Sequence, residues 1–229
     1  MERYGTFNRG ASRRQAEGAV AKTVVLARAR DADAGGFRHW LLTEHAPQRL
    51  ASLADRVVLQ LATPGPDEAP PYDAVIELWS DTSLVTAIAA DETLAAHAEL
   101  DIRASEEVIA KDERDGIAIG ATPGLSQLSF TQPIAGMAHE ETLRHWSEHI
   151  PLARAIHVGM NRYVQDRLAP GTDGTVLWFG MAHLHFPNKA ALRDGLFRTP
   201  QDIEAITADV AEFVSGHATM LAVEHVIKA

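Results

Sequence analysis

Arg38-His39-Trp40 is echoed 106 residues later by Arg144-His145-Trp146, and Glu44-His45-Ala46-Pro47 is echoed after 104 by Glu148-His149-Ile150-Pro151. Glu77-Leu78-Trp79 and His183-Leu184-His185 stand 106 apart again. Three echoes in one order imply two related units, with two residues deleted inside the second unit's helix. The chain therefore divides into an N-terminal arm over 1–20, a first repeat over 21–121 and a second, diverged repeat over 122–229.

Each unit reads as a mixture of strands and helices. Residues 23–29, 56–61 and 72–79 are short and rich in β-branched residues, as buried strands are. After a Gly35-Gly36 break, residues 37–53 carry helical spacing, with Pro47 placed to bend or end a turn. The proline-rich stretch 63–71 is a loop, and one or two helices open near Asp81 or Thr82. Carboxylates alternate with Ile102, Val108 and Ile109 over 99–115, which predicts a solvated helix, and 116–120 is a weak strand. In the second unit strands are expected over 125–132, 157–165, 176–186 and the closing TMLAVEHVIK, with helices over 139–155 and in NKAALRDGLF and PQDIEAITADVAEFV. The turn APGTDGT separates two of those strands.

Composition removes whole classes of function. A net charge of −10, with no basic stripe, repels phosphate backbones, so nucleic acid is not an expected partner. No apolar run is long enough to cross a bilayer, and no apolar core follows the early arginines as in a secretory leader. Without cysteine there is no thiolate site or disulfide, which suits the cytoplasm. P-loop, GxGxxG and GxSxG patterns are absent, so nucleotide cofactors and serine hydrolysis have no support, and no cofactor is expected.

Histidines supply the candidate chemistry. His183 and His185, two apart on a strand, share a face with Leu177, Phe179 and Met181. In the first unit the matching face presents Asp73, Val75, Glu77 and Trp79. A carboxylate pair opposite an imidazole pair can exchange protons with a bound molecule, and the bland alternative is two hydrogen-bonded histidines at a sheet end. His45 and His149 are placed at helix ends, where they either reach a pocket mouth or bond unpaired carbonyls. Tyr72 could donate to an oxyanion or be a core-edge aromatic. His225, on a strand face with Leu221, Val223 and Ile227, reads first as a satisfied core histidine and second as a pocket residue. His183 and His185 with Glu77 or Glu224 would make a His/carboxylate metal site, though no compact ligand signature such as HExxH is present.

FRHWLLTEHAP followed by YDAVIELWSD resembles the EthD family of the dimeric α+β barrel superfamily, closely over residues 22–115 and more loosely over 125–228. The resemblance implies tandem ferredoxin-like repeats whose sheets face each other in one chain, with a pocket inside the barrel and further association as a homodimer open to it. His45 and His149 match the family's histidine position. Trp40 precedes its histidine by five residues and Trp146 by three, where the family has four, so on an α-helix the rings turn away by about 140° and 60°. Polar residues confined to one face of otherwise apolar strands lead to the expectation of a cofactor-independent lyase, with dehydratase, decarboxylase or isomerase chemistry, acting on a small aromatic or polyketide-like substrate. His45, His149, His183 and His185 would be acid and base, with Glu77 and Tyr72 assisting. Asp73, Trp79, Trp178, Phe179 and His225 would hold the substrate. The alternatives are a non-catalytic binder of a small apolar ligand and a metal- or haem-dependent oxygenase. Fold alone does not choose among them.

Overall fold

The computed structural model describes residues 20–63, 69–114, 116–171 and 177–229. The N-terminal arm up to residue 19, most of the proline-rich loop, Asp115 and most of the APGTDGT turn lie outside them.

The first half runs β1 (Ala21–Ala29), α1 (Ala34–Trp40), a π-helix (Leu41–Leu50), α2 (Ala51–Leu53), β2 (Arg56–Ala62), β3 (Ala74–Ser80), α3 (Val85–Ala89), α4 (Glu92–His97) and β4 (Ala98–Asp112). After the short β5 (Gly120–Ala121), the second half gives β6 (Leu125–Pro133), α5 (His139–Glu148), α6 (Ile150–Ile156), β7 (Arg162–Leu168), β8 (Gly180–Phe186), α7 (Lys189–Gly195), α8 (Pro200–Val210) and β9 (Val214–Lys228). Within the sheet the order is β2-β3-β1-β4 and then β7-β8-β6-β9, and β9 pairs back onto β2. Every pairing is antiparallel, so the strands close an eight-stranded barrel with β5 as an extra edge on β9.

The halves match in register. Val24 faces Glu77 and Arg103 as Leu128 faces His183 and Met220. The closing strands also match: Thr63 donates its backbone N–H to the Leu221 carbonyl, as Ala169 does to that of Ala104.

Several expectations change. Residues 99–112 form a strand, because β4 is long enough to pair with β1 in its first part and β7 in its second. Gly35 and Gly36 do not break the chain but form the first turn of α1, capped by the Asp33 carboxylate on the Gly36 N–H. The strand expected from 157 begins at Arg162, after α6 and a turn, and that expected from 176 begins at Gly180. Pro47 lies inside the π-helix, so His45 is in mid-helix and not at its end. A π-helix closes i→i+5 bonds, as the Ala51 N–H does to the Ala46 carbonyl. That wider turn brings Trp40 and His45, five apart, into a stack at 4.7 Å, where an α-helix would separate them. The extra residues of the first half fall in this segment.

Side chains divide by sheet face. One core lies between the first half's sheet and its helices, built around residues such as Leu41, Leu50, Ile76 and Leu78. A second lies between the second half's sheet and helices, around Trp146, Phe179, Phe186 and Phe213. A third draws Val24, Val75, Leu128, Phe130, Met181 and Met220 from strands all around the barrel and so fills its interior. No helix among the described residues is long and apolar enough to cross a membrane.

Candidate functional site

The barrel interior beside that third core is packed with charge. Lys22 places its ammonium 2.8 Å from Glu77, 2.8 Å from Glu107 and 2.7 Å from Asp166. Burial pulls Lys22 down, but Asp166, Glu77 and Glu107 outweigh it and hold the ammonium charged above its ordinary range. Burial likewise raises Glu77, and Lys22, His183 and Arg162 overcome it, so Glu77 stays well below the carboxylate range. Those three carboxylates come close enough to hold a metal ion, but the Lys22 ammonium already sits among them.

His183 and His185 belong to this network. Arg162 donates to His183 Nδ1 at 2.9 Å, so Nε2 carries the proton and bonds Ser126 Oγ at 2.8 Å. With both nitrogens used and a guanidinium alongside, His183 cannot serve with Glu77 or Glu224 as a metal ligand. Burial, and then Arg162, pushes His183 down to about 3. His185 is held through Nδ1 by Asn161 at 2.7 Å, and Glu224 by Arg114 and Thr122. The imidazole pair is thus part of a filled polar core and not the wall of a pocket.

Other expected site residues also lie each against its own neighbours. Tyr72 accepts from the Trp178 indole at 2.7 Å and packs edge-on against Phe130. Asp73 does not join Glu77; it accepts from the Ala29 N–H at 2.9 Å and pairs with Arg38 at 3.2 Å. Trp79 lies under the cations of Lys22 and Arg56. Strand alternation breaks just before Gly180, so Trp178 faces the interior while Phe179 packs on Trp146 at 5.3 Å in the helix layer, and Leu177 is exposed. His45 is buried beside Asp91 at 3.2 Å and under Trp40. His225 is half-buried on β9, opposite Leu59.

The cavity lies elsewhere, between the second half's sheet and its helices, with a volume of about 430 Å³. Its helix side is mostly apolar, with Trp146, Ala153, Phe197, Ile206, Val210 and Phe213. Its sheet side mixes the apolar Ala182, Leu184 and Val214 with a row of polar side chains: Gln127, Ser129 and Thr131 from β6, and Ser215, His217 and Thr219 from β9. In the matching register the first half has Val25 and Ala27 for Ser129 and Thr131, and Leu100 and Ile102 for His217 and Thr219. A row of apolar side chains under helices is a core; the same row made polar leaves a wettable wall that a ligand can hydrogen-bond.

Of the expected site residues, His149 alone lines this cavity. It sits at the junction of α5 and α6, where Pro151 in the first turn of α6 fixes the new helix start. α8, closed at its N-terminus by a Thr199/Asp202 capping box, carries Asp209 to 2.5 Å from His149 Nδ1. Since a carboxylate accepts, Nδ1 carries the proton and Nε2 is left as a base.

Two further lining residues, His157 and Tyr163, were not singled out by sequence. His157 donates Nδ1–H to the Leu196 carbonyl at 2.7 Å, which leaves its Nε2 as acceptor, and burial lowers its pKa. Gln165 donates to the Tyr163 hydroxyl at 2.8 Å and to the Trp146 carbonyl at 2.8 Å. Burial raises the Tyr163 phenol, and its proton has no acceptor among the described residues. The signal that could have found the cavity is the Gln127-x-Ser129-x-Thr131 alternation, polar on the face that helices cover.

Residues 134–217 match the model of the EthD domain, a stretch that holds α5 to α8 and the His149–Asp209 pair and lies in the second half, whereas the closer likeness was expected over 22–115. None of the curated proteins matches the chain. The fold is that of the dimeric α+β barrel proteins. A crystal structure of an anthrone oxidase-like protein aligns with TM-score 0.63 at 12% identity, covering 92% of this chain and 94% of its own. A protein named as a monooxygenase from Lactobacillus acidophilus NCFM gives 0.52 at 10% identity, over 90% and 93%. A mutant chlorite dismutase from Candidatus Nitrospira defluvii gives 0.50 at 12% identity, over 92% and 93%.

Proposed function

We propose that the chain is two ferredoxin-like repeats of common origin, over 21–121 and 122–229, of which the second holds the active site of a cofactor-independent lyase. Its substrate is a small hydroxylated aromatic or polyketide-like ring. The observation that carries the reading is the His149–Asp209 pair set in a cavity whose aromatic helix side faces a row of polar strand side chains.

The ring lies between the aromatic helix wall and the hydroxyl and amide groups of the sheet. Asp209 fixes the His149 tautomer and stabilises the imidazolium that forms, so Nε2 can take a proton from carbon next to a ketone. The electron pair moves to the ketone oxygen, where Tyr163 donates its free O–H. Return of the electrons expels a hydroxyl β to the ketone, and His149 gives its proton to that group. The C–H and C–OH bonds break, a C=C bond forms and water leaves.

The test uses a hydroxytetralone with its hydroxyl β to the ketone, which becomes a fluorescent naphthol on losing water. Wild type is expected to form the naphthol, and His149→Ala to slow it by about 10²–10⁴-fold. If wild type neither forms naphthol nor exchanges the α-protons with D2O faster than buffer, the reading is wrong. An oxidase shares the first step, and the anthrone oxidase-like neighbour favours it as the second reading. An anthrone loses a carbon proton to a base because the anion is aromatic, and oxygen uptake during turnover would separate that outcome from loss of water.

A further inference from the structure

A groove of about 730 Å³ adjoins the cavity and shares Gln127, Phe197, His217 and Thr219 with it. On one side it is bordered by Leu192, Arg193 and Leu196, and on the other by Thr63, Ala69, Pro70 and Pro71, which belong to the first half. Along its length lie five consecutive residues of β9, from His217 to Leu221.

Successive side chains on a strand point to opposite faces, so a groove touched by five in a row follows the strand's edge. β9 pairs with β6 from Val214 to Ala222, but β2 begins to cover its other edge only at Ala222. Before that point, the Thr63 N–H on the Leu221 carbonyl is the contact that edge makes among the described residues. In an antiparallel strand the N–H and C=O of one residue point the same way and alternate residues share that direction. The backbone groups of His217, Thr219 and Leu221 therefore face the groove.

We infer that the site takes an elongated ligand: a ring in the cavity and, attached to it, an extended chain carrying amide groups that runs along the open edge of β9. This rests on the reading of the cavity as the substrate site. An amide in extended conformation offers the donor and acceptor that a strand edge lacks, and Leu192, Leu196, Pro71 and Leu221 give its carbon segments apolar contact. The first half then contributes to specificity through Thr63 and Pro70-Pro71 without supplying a reacting group.

The test compares the binding of three probes by calorimetry: a naphthol, the same naphthol with a hexyl tail, and one with an amide-containing tail of equal length. The amide-tailed probe is expected to bind about tenfold or more tighter than the bare naphthol, and tighter than the hexyl one. Leu221→Pro removes one N–H from the groove while keeping the carbonyl that Thr63 uses. It should erase most of the amide gain and leave naphthol affinity within about twofold. Leu221→Trp, which fills the groove at an exposed position, gives the same comparison if the proline variant does not fold. Equal affinity of amide-tailed and bare probes, or a gain that survives both variants, overturns the inference while the cavity reading stands. Failure of the bare naphthol to bind removes the cavity reading, and the extension with it.

Discussion

At the scale of single residues, Asp209 and Lys22 carry opposite kinds of charge work. Asp209 is part-exposed, and its role is to hold one imidazole nitrogen. Asp209→Asn is expected to lower turnover more than tenfold with little change in melting temperature, because the amide can present the wrong group to Nδ1. Lys22 is buried among three carboxylates, so Lys22→Met leaves them uncompensated and is expected to cost about 3–5 kcal/mol in urea unfolding. The buried imidazoles make stability depend on acid. His183 titrates at about 3 in the folded chain and near 6.5 unfolded, so the unfolded chain binds the proton first. Its contribution is whole above pH 6.5 and declines as pH falls from there to about 3, at up to about 1.4 kcal/mol per pH unit. Asp166, raised by burial to about 6, works in the other direction between that value and its ordinary one. His183→Gln should therefore show a smaller stability difference between pH 7 and pH 4 than wild type does. The pairing of His183 with His185 on one face was legible from their spacing. That this face would be filled by Arg162, Lys22 and four carboxylates from other strands was not, since no local pattern records what packs across a barrel.

Elements set the shape of the cavity, and two of them can be probed without touching its chemistry. A Cβ on Gly180 would stand 2.3 Å from the Trp146 ring. Gly180→Ala should thus displace that indole, shift its fluorescence and weaken ring binding while the strand itself remains. Thr199→Ala opens the capping box of α8 and is expected to cost about 1 kcal/mol, seen as a lower melting temperature. Most elements could be read from the sequence because hydrophobic period and turn residues agree, as in β1, β3 and α8. β4 could not. Its inward side chains, Arg103, Ser105 and Glu107, are polar because the barrel core they enter is polar, so alternation looked like a solvated helix. The π-helix escaped for a similar reason: two extra residues were absorbed as a wider turn, and spacing rules for an α-helix then mislead about Trp40 and His45.

For the whole molecule, the repeated order of elements gives two sheets and two helix layers, and the chain has used them differently. The first half covers its sheet with an apolar core, while the second leaves a cavity under its helices. The echoes at Trp40 and Trp146 marked the architecture. The polar row that lines the cavity sits in β6 and β9, which carried no echo at all. Closure of the barrel has a kinetic side as well. Gln60 and Glu224, 164 positions apart, bond across the β2–β9 seam. Until that seam forms, β2 is an open edge ready to pair with another chain. Such a distant contact is gained late in folding. Crowding of nascent or refolding chains should therefore trap them as intermolecular sheet, and recovery should rise steeply as the protein is diluted.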